Sequence, residues 1–191
     1  MKYVKIDQSD KKLSSIGLGT MIFHPDSKDR DFKILDAFID NGGTFLDTAE
    51  VYGSVEEHGY SEMVIGDWLE KNQAIRDKLF IMGKGLIPGY CAPIHPGGAK
   101  INPESIHKAI DGTLNRMKTD YLDLWMFHRD DTSHDVGPLI DALNKENVKN
   151  KYIRALMFQL FENNGVLKRE LVDDMVKSIK TEERKKIWEL G

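Results

Sequence analysis

The sequence has one cysteine, six prolines, no long apolar run and no dominant sign of charge. A lone Cys91 cannot close an internal disulfide, so a reducing, cytoplasmic setting is expected. No stretch approaches the ~20 apolar residues that a membrane helix needs. The first twenty residues carry charges throughout and hold no apolar block of signal-peptide length, so no membrane partner is expected. The 27 Lys and Arg face 31 Asp and Glu, a net charge of −4. With an isoelectric point near 5.9, a nucleic-acid partner is not expected either. Sixteen glycines and six prolines are too few for a collagen-like or low-complexity chain. Tandem repeats and heptad arrays are lacking too.

What is present is a globular composition: 191 residues, 40% apolar and 9% aromatic. A single domain of that size buries roughly 70% of the surface of its unfolded chain. Met1–Lys12 alternates weakly about Asp7-Gln8-Ser9-Asp10 and reads as a β-hairpin. From Ser15 to about Asn147, short apolar runs alternate with amphipathic stretches. The runs are Ile16–Thr20, Thr44–Leu46, Leu79–Met82 and Tyr121–Phe127. Between them lie helix faces of Phe32, Leu35, Phe38 and Ile39, of Val64, Ile65, Trp68 and Leu69, and of Ile106, Ile110, Leu114 and Met117. The last of these opens on Asn102-Pro103, a cap residue followed by a first-turn proline. A further helix is expected over Pro138–Val148, a fifth strand over Ile153–Leu160, and a helix bearing Leu167, Leu171, Met175 and Ile179. Strands alternating with helices imply βα units on a parallel sheet, either doubly wound or a (β/α)₈ barrel.

In such folds the active site forms where the loops leave the C-terminal strand ends. The second run enters Asp47, with Tyr52 five residues on. The third ends at Lys84 and the fourth at His128. Strand parity sets Lys84 on the face of Phe80 and Met82, and His128 on that of Leu122, Leu124 and Met126. An acid, a phenol, an amine and an imidazole at one rim suit the protonation of a carbonyl oxygen while hydride arrives at carbon. A lysine cation beside a tyrosine can lower its pKa by ~1–3 units, and a paired carboxylate keeps the cation charged. A histidine can orient the carbonyl. The hydride must come from a cofactor.

The segment Gly43-Thr44-Phe45-Leu46-Asp47-Thr48-Ala49-Glu50-Val51-Tyr52-Gly53 resembles the aldo-keto reductase signature around the catalytic Asp and Tyr. Arg76–Lys84 resembles the segment ending in that family's catalytic Lys, and Leu114–Leu124, leading into His128, the run ending in its catalytic His. Ile16-Gly17-Leu18-Gly19-Thr20-Met21 is similar to the first barrel strand, which lies against the cofactor. The resemblance implies a TIM-barrel-type α/β fold, with Tyr52 as general acid, Asp47 and Lys84 tuning it, and His128 orienting a small carbonyl substrate. It implies NADPH, less often NADH, held by Gly19, Thr20, Met21 and Asp47, and no metal.

The same resemblance exposes departures. A barrel of this kind takes ~250 residues; four units are used by Val148, and the residues beyond it are too few for four more. The expected arrangement is residues 1–155 as the N-terminal part of the barrel, with 1–14 as its hairpin cap and 156–191 as a divergent helical tail, all in one domain. After Ile153-Arg154-Ala155 the family's Ser-Asn pair for the nicotinamide amide is replaced by Leu156-Met157-Phe158-Gln159-Leu160. An open half-barrel would expose sheet edge and favour homo-oligomers. Two other readings stand beside a reductase: a catalytically silent truncated member serving as an interaction module or gene fragment, and a metal-dependent hydrolase using His95, His128, His134 and Asp130 or Asp131. The last lacks any His-x-His or His-Glu-x-x-His spacing. Cys91 reads as a loop thiol, and His95-Pro96-Gly97-Gly98 as a mobile turn bordering substrate.

Overall fold

The computed structural model describes residues 1–6, 9–53, 57–129, 135 and 137–143. A hairpin of β1 (Tyr3–Ile6) and β2 (Ser9–Ser14), paired antiparallel, precedes a four-stranded parallel sheet. The sheet comprises β3 (Gly17–Gly19), β4 (Phe45–Asp47), β5 (Phe80–Gly85) and β6 (Leu124–Phe127), neighbours in chain order. Helices α1 (Lys28–Asp40), α2 (Tyr60–Lys71) and α3 (Pro103–Met117) connect them in turn. Residues 137–143 are helical as well. Each strand of the parallel sheet is thus followed by a helix, the repeating unit of a (β/α) barrel. Among the described residues no helix is long and apolar enough to cross a membrane.

Local signals account for the elements. The Asn102 side chain accepts the Ser105 N–H at 2.9 Å and Pro103 takes the first turn of α3, as the sequence indicates. The apolar stripes of the helices then meet one face of the sheet. Leu35, Val64, Ile65, Ile106 and Ile110 pack with Leu46, Ile81, Trp125 and Phe127 in a single buried cluster. Each such side chain contributes about 1.5–3 kcal/mol on burial. Phe80, Leu124 and Met126 alternate with these strand residues and are buried outside that cluster, on the opposite face. Leu122 breaks the expected parity. It precedes β6 and packs in the helix-side cluster instead.

At the N-terminal end of the sheet, polar pairing replaces apolar contact. The carboxylate of Asp123, 1% exposed, accepts from Arg76 at 3.0 Å and from the Ile81 N–H at 3.0 Å, and Lys11 of the hairpin reaches it at 2.6 Å. Lys11 also donates to the Leu79 carbonyl at 2.6 Å. These bonds seat the hairpin against the opposite end of the sheet from Asp47, Lys84 and His128. The expected strand Ile153–Leu160, the helix through Leu167–Ile179 and residues 144–148 of the fourth helix lie outside the described residues.

Candidate active site

The C-terminal strand ends converge on one rim. Asp47 closes β4, Lys84 is the penultimate residue of β5, and His128 directly follows β6. Their backbones are stitched together across the strand exits: Thr48 N–H to Met82 O at 3.0 Å, Glu50 N–H to Lys84 O at 2.9 Å, His128 N–H to Gly85 O at 2.7 Å. Tyr52 returns over this rim through a turn in which its N–H meets the Ala49 carbonyl at 3.0 Å.

Lys84, 9% exposed, forms an ion pair and hydrogen bond with the Asp47 carboxylate. Its Nζ stands 5.2 Å from the centroid of the Tyr52 ring. The Tyr52 and His128 rings meet edge to face at 5.9 Å. The structure therefore brings together all four side chains that the sequence singles out for acid–base chemistry.

Their electrostatics differ from the sequence expectation in one respect. Burial pushes the Tyr52 phenol above its ordinary value instead of Lys84 drawing it down. An ammonium already paired with a carboxylate projects little net field, so desolvation wins. Burial also lowers the Lys84 amine to about 8. The His128 imidazole falls to about 4, through burial first and then the neighbouring charges of Lys84 and Arg129. It is neutral across the physiological range, and its Nδ1 is buried with no hydrogen-bond partner among the described residues.

At the neighbouring strand, the space above Gly19 is open: among the described residues, nothing lies within 4 Å of where a side chain would begin. Met21 and Ile22 beside it are 65% and 62% exposed. Thr20 is fully buried. Its hydroxyl donates to the Asp47 carbonyl at 2.8 Å and meets the Ser61 hydroxyl at 2.5 Å, so it holds this floor from beneath.

Two further residues join the site: Glu50, which the sequence did not single out, and His95, which it placed in a turn bordering substrate. Glu50, between Asp47 and Tyr52, is 1% exposed and bonds the Leu86 N–H at 2.6 Å and His95 Nε2 at 3.1 Å. Within its turn, His95 is buried and tethered. The available signal was a carboxylate inside Thr48-Ala49-Glu50-Val51-Tyr52, a segment otherwise ready for burial. Cys91 is buried and its thiol is pushed up to about 12, chiefly by desolvation with the Glu50 charge adding to it. Among the described residues no three His, Cys, Asp or Glu side chains cluster to hold a metal ion. Asp130, Asp131 and His134 lie outside the described residues.

A family model described as aldo/keto reductase family matches residues 15–151. The chain is 30% identical over 133 residues to the uncharacterized oxidoreductase YrpG of Bacillus subtilis, spanning 69% of this chain and 41% of that protein. It is 34% identical over 134 residues to protein tas of Escherichia coli, at 67% and 38% coverage. The chain thus spans about two fifths of the length of these relatives. Among solved structures, an aldo-keto reductase from Klebsiella pneumoniae in complex with NADPH aligns with a TM-score of 0.62 and 27% identity, over 81% of this chain and 48% of that one.

Proposed function

The chain belongs to the aldo/keto reductase family, and from that premise we propose that it reduces an aldehyde or ketone to the alcohol, with NADPH as cofactor and Tyr52 as general acid. The observation that carries this reading is the meeting of Tyr52, Lys84, Asp47 and His128 at three successive strand ends. The dinucleotide supplies the hydride.

The chain's own residues account for the remaining tasks. A Tyr52 phenol raised by burial stays protonated at neutral pH and is loaded as an acid. The Lys84 ammonium, 5.2 Å from the centroid of the Tyr52 ring, would offset part of the phenolate charge that develops as the proton leaves. Asp47 fixes that cation in place. Neutral His128 can hydrogen-bond the carbonyl oxygen and orient it toward Tyr52. The open surface above Gly19, with the exposed Met21 beside it, fits the face of a flat ring. Gly19 and Met21 would bear the nicotinamide, Thr20 supporting them from below, with Asp47 at the ring's edge. The bound NADPH of the Klebsiella relative supports the choice of cofactor. A buried lone thiol accords with a cytoplasmic setting.

The reading is tested by titrating NADPH into the protein while following its fluorescence, then assaying carbonyl reduction in the wild type and Tyr52→Phe. Saturable binding in both is expected, with turnover in Tyr52→Phe reduced by about 10²–10⁴-fold. Absence of NADPH binding by the folded wild type would favour the silent interaction module.

A further inference from the structure

We infer that Glu50 is a positioning residue: it fixes the exit of β5, and with it Lys84 and His128, and tethers the 86–99 loop through His95. This rests on the reductase reading above for its consequence in turnover, and on the geometry alone for its structural content.

One residue grips the strand exit from two sides. The Glu50 N–H donates to the Lys84 carbonyl at 2.9 Å, while its Oε1 accepts from the Leu86 N–H at 2.6 Å. Gly85, held between these bonds, accepts the His128 N–H at 2.7 Å. A Cβ at Gly85 would stand 2.8 Å from Trp125 Cζ2 and 3.3 Å from Glu50 Cδ, so the carboxylate fits here because the strand carries no side chain. Leu86 adopts a φ of 62°, a left-handed conformation disfavoured for residues that carry a Cβ. Its N–H is bonded by Glu50, which explains how the conformation is held. Without that acceptor, a buried donor at a strained residue would be left unpaired.

The second carboxylate oxygen reaches across 45 residues to His95 Nε2 at 3.1 Å. His95 is in turn fixed within the loop, its N–H donating to the Cys91 carbonyl at 2.6 Å and its carbonyl accepting from Gly98 at 2.8 Å. The loop leaving β5 is therefore tied to the strand exit through a buried carboxylate that lies two residues from Tyr52. Because the same carboxylate sets the β5 exit, a displaced loop and a displaced Lys84 should go together. Misplacement of reacting groups by about 1 Å can lower turnover ~10²-fold.

The test uses full-length protein and three variants: His95→Ala, which severs the tether, Glu50→Ala, which removes both bonds, and Glu50→Gln, which keeps an acceptor for Leu86. Amide hydrogen exchange is read across the chain, the His128 ring resonances are read by NMR with His24 as control, and kcat and KM by carbonyl reduction. In His95→Ala, exchange should rise ~tenfold over residues 86–99 and stay unchanged in α1 and α2. In Glu50→Ala, the His128 resonances should move while those of His24 stay, and kcat should drop more than tenfold. Glu50→Gln should recover most of both. Unchanged loop exchange in His95→Ala, or a uniform rise across all elements, overturns the tether. Unmoved His128 resonances in a folded Glu50→Ala, or shifted ones that Glu50→Gln fails to bring back, overturn the positioning role. A wild type that reduces no carbonyl sinks the reductase reading, while exchange and resonances still decide the role of Glu50.

Discussion

At His128, burial, the nearby Lys84 and Arg129 charges and an Nδ1 without a partner among the described residues all oppose protonation. The folded-state value of about 4 lies below the ordinary 6.5. Between those values the unfolded chain binds more protons than the folded one, so stability rises with pH across this window and is lost on acidification toward pH 4. A full shift of that size corresponds to about 3 kcal/mol, which partial exposure of the ring trims to about 1–2 kcal/mol. His128→Gln should therefore lose less stability than the wild type between pH 6.5 and 4, by that amount, in urea unfolding at the two pH values. Equal losses would show that the imidazole stays solvated. The position of this histidine is legible in the sequence, because apolar runs ending in polar residues reveal strand ends. Its electrostatics are not, because they depend on burial and on Lys84, which reaches it from a neighbouring strand. Glu50 and His95 illustrate the same limit. Neither has a local pattern that names the other, and their pairing exists only once β4 and the β5 loop are folded together.

At the scale of elements, the helices follow from their periodicity and from Asn102-Pro103. The glycine in the middle of α2 does not. By propensity Gly66 is a fault that alanine would mend by about 1 kcal/mol. Its environment reverses that sign. A Cβ there would overlap the Arg116 carbonyl and the Met117 backbone at the end of α3. Backbone gives way less readily than side chain, and overpacking costs about 1–3 kcal/mol or more. The same seam carries the buried Glu62, which accepts from Thr113 at 2.9 Å and from Arg116 at 2.6 Å, so the two helices cannot simply part. Gly66→Ala should thus destabilise the protein by about 1–2 kcal/mol net in chemical denaturation. A gain in stability would mean that α3 slides freely against α2. The reversal was hidden from the sequence because a helix–helix approach has no signature on either helix alone.

For the whole molecule, the sheet order places β3 and β6 at the two edges, each bonded to one neighbouring strand among the described residues. Neither edge carries the charges or prolines that usually discourage pairing: β3 is Gly17-Leu18-Gly19 and β6 is Leu124-Trp125-Met126-Phe127. Rows of unpaired N–H and C=O groups on such strands recruit a further strand, from elsewhere in the same chain or from a second copy. From these edges we expect the second copy to contribute, so that sedimentation velocity shows association growing from low to high micromolar concentration. The same samples decide what the association does. If the NADPH-bound fraction rises with the oligomer fraction, the partner copy completes the cofactor site around Gly19 and Met21. If binding is the same at all concentrations, one chain suffices. A strictly monomeric protein throughout would mean that residues of the chain itself cover both edges, and the half-barrel expectation would have to be abandoned.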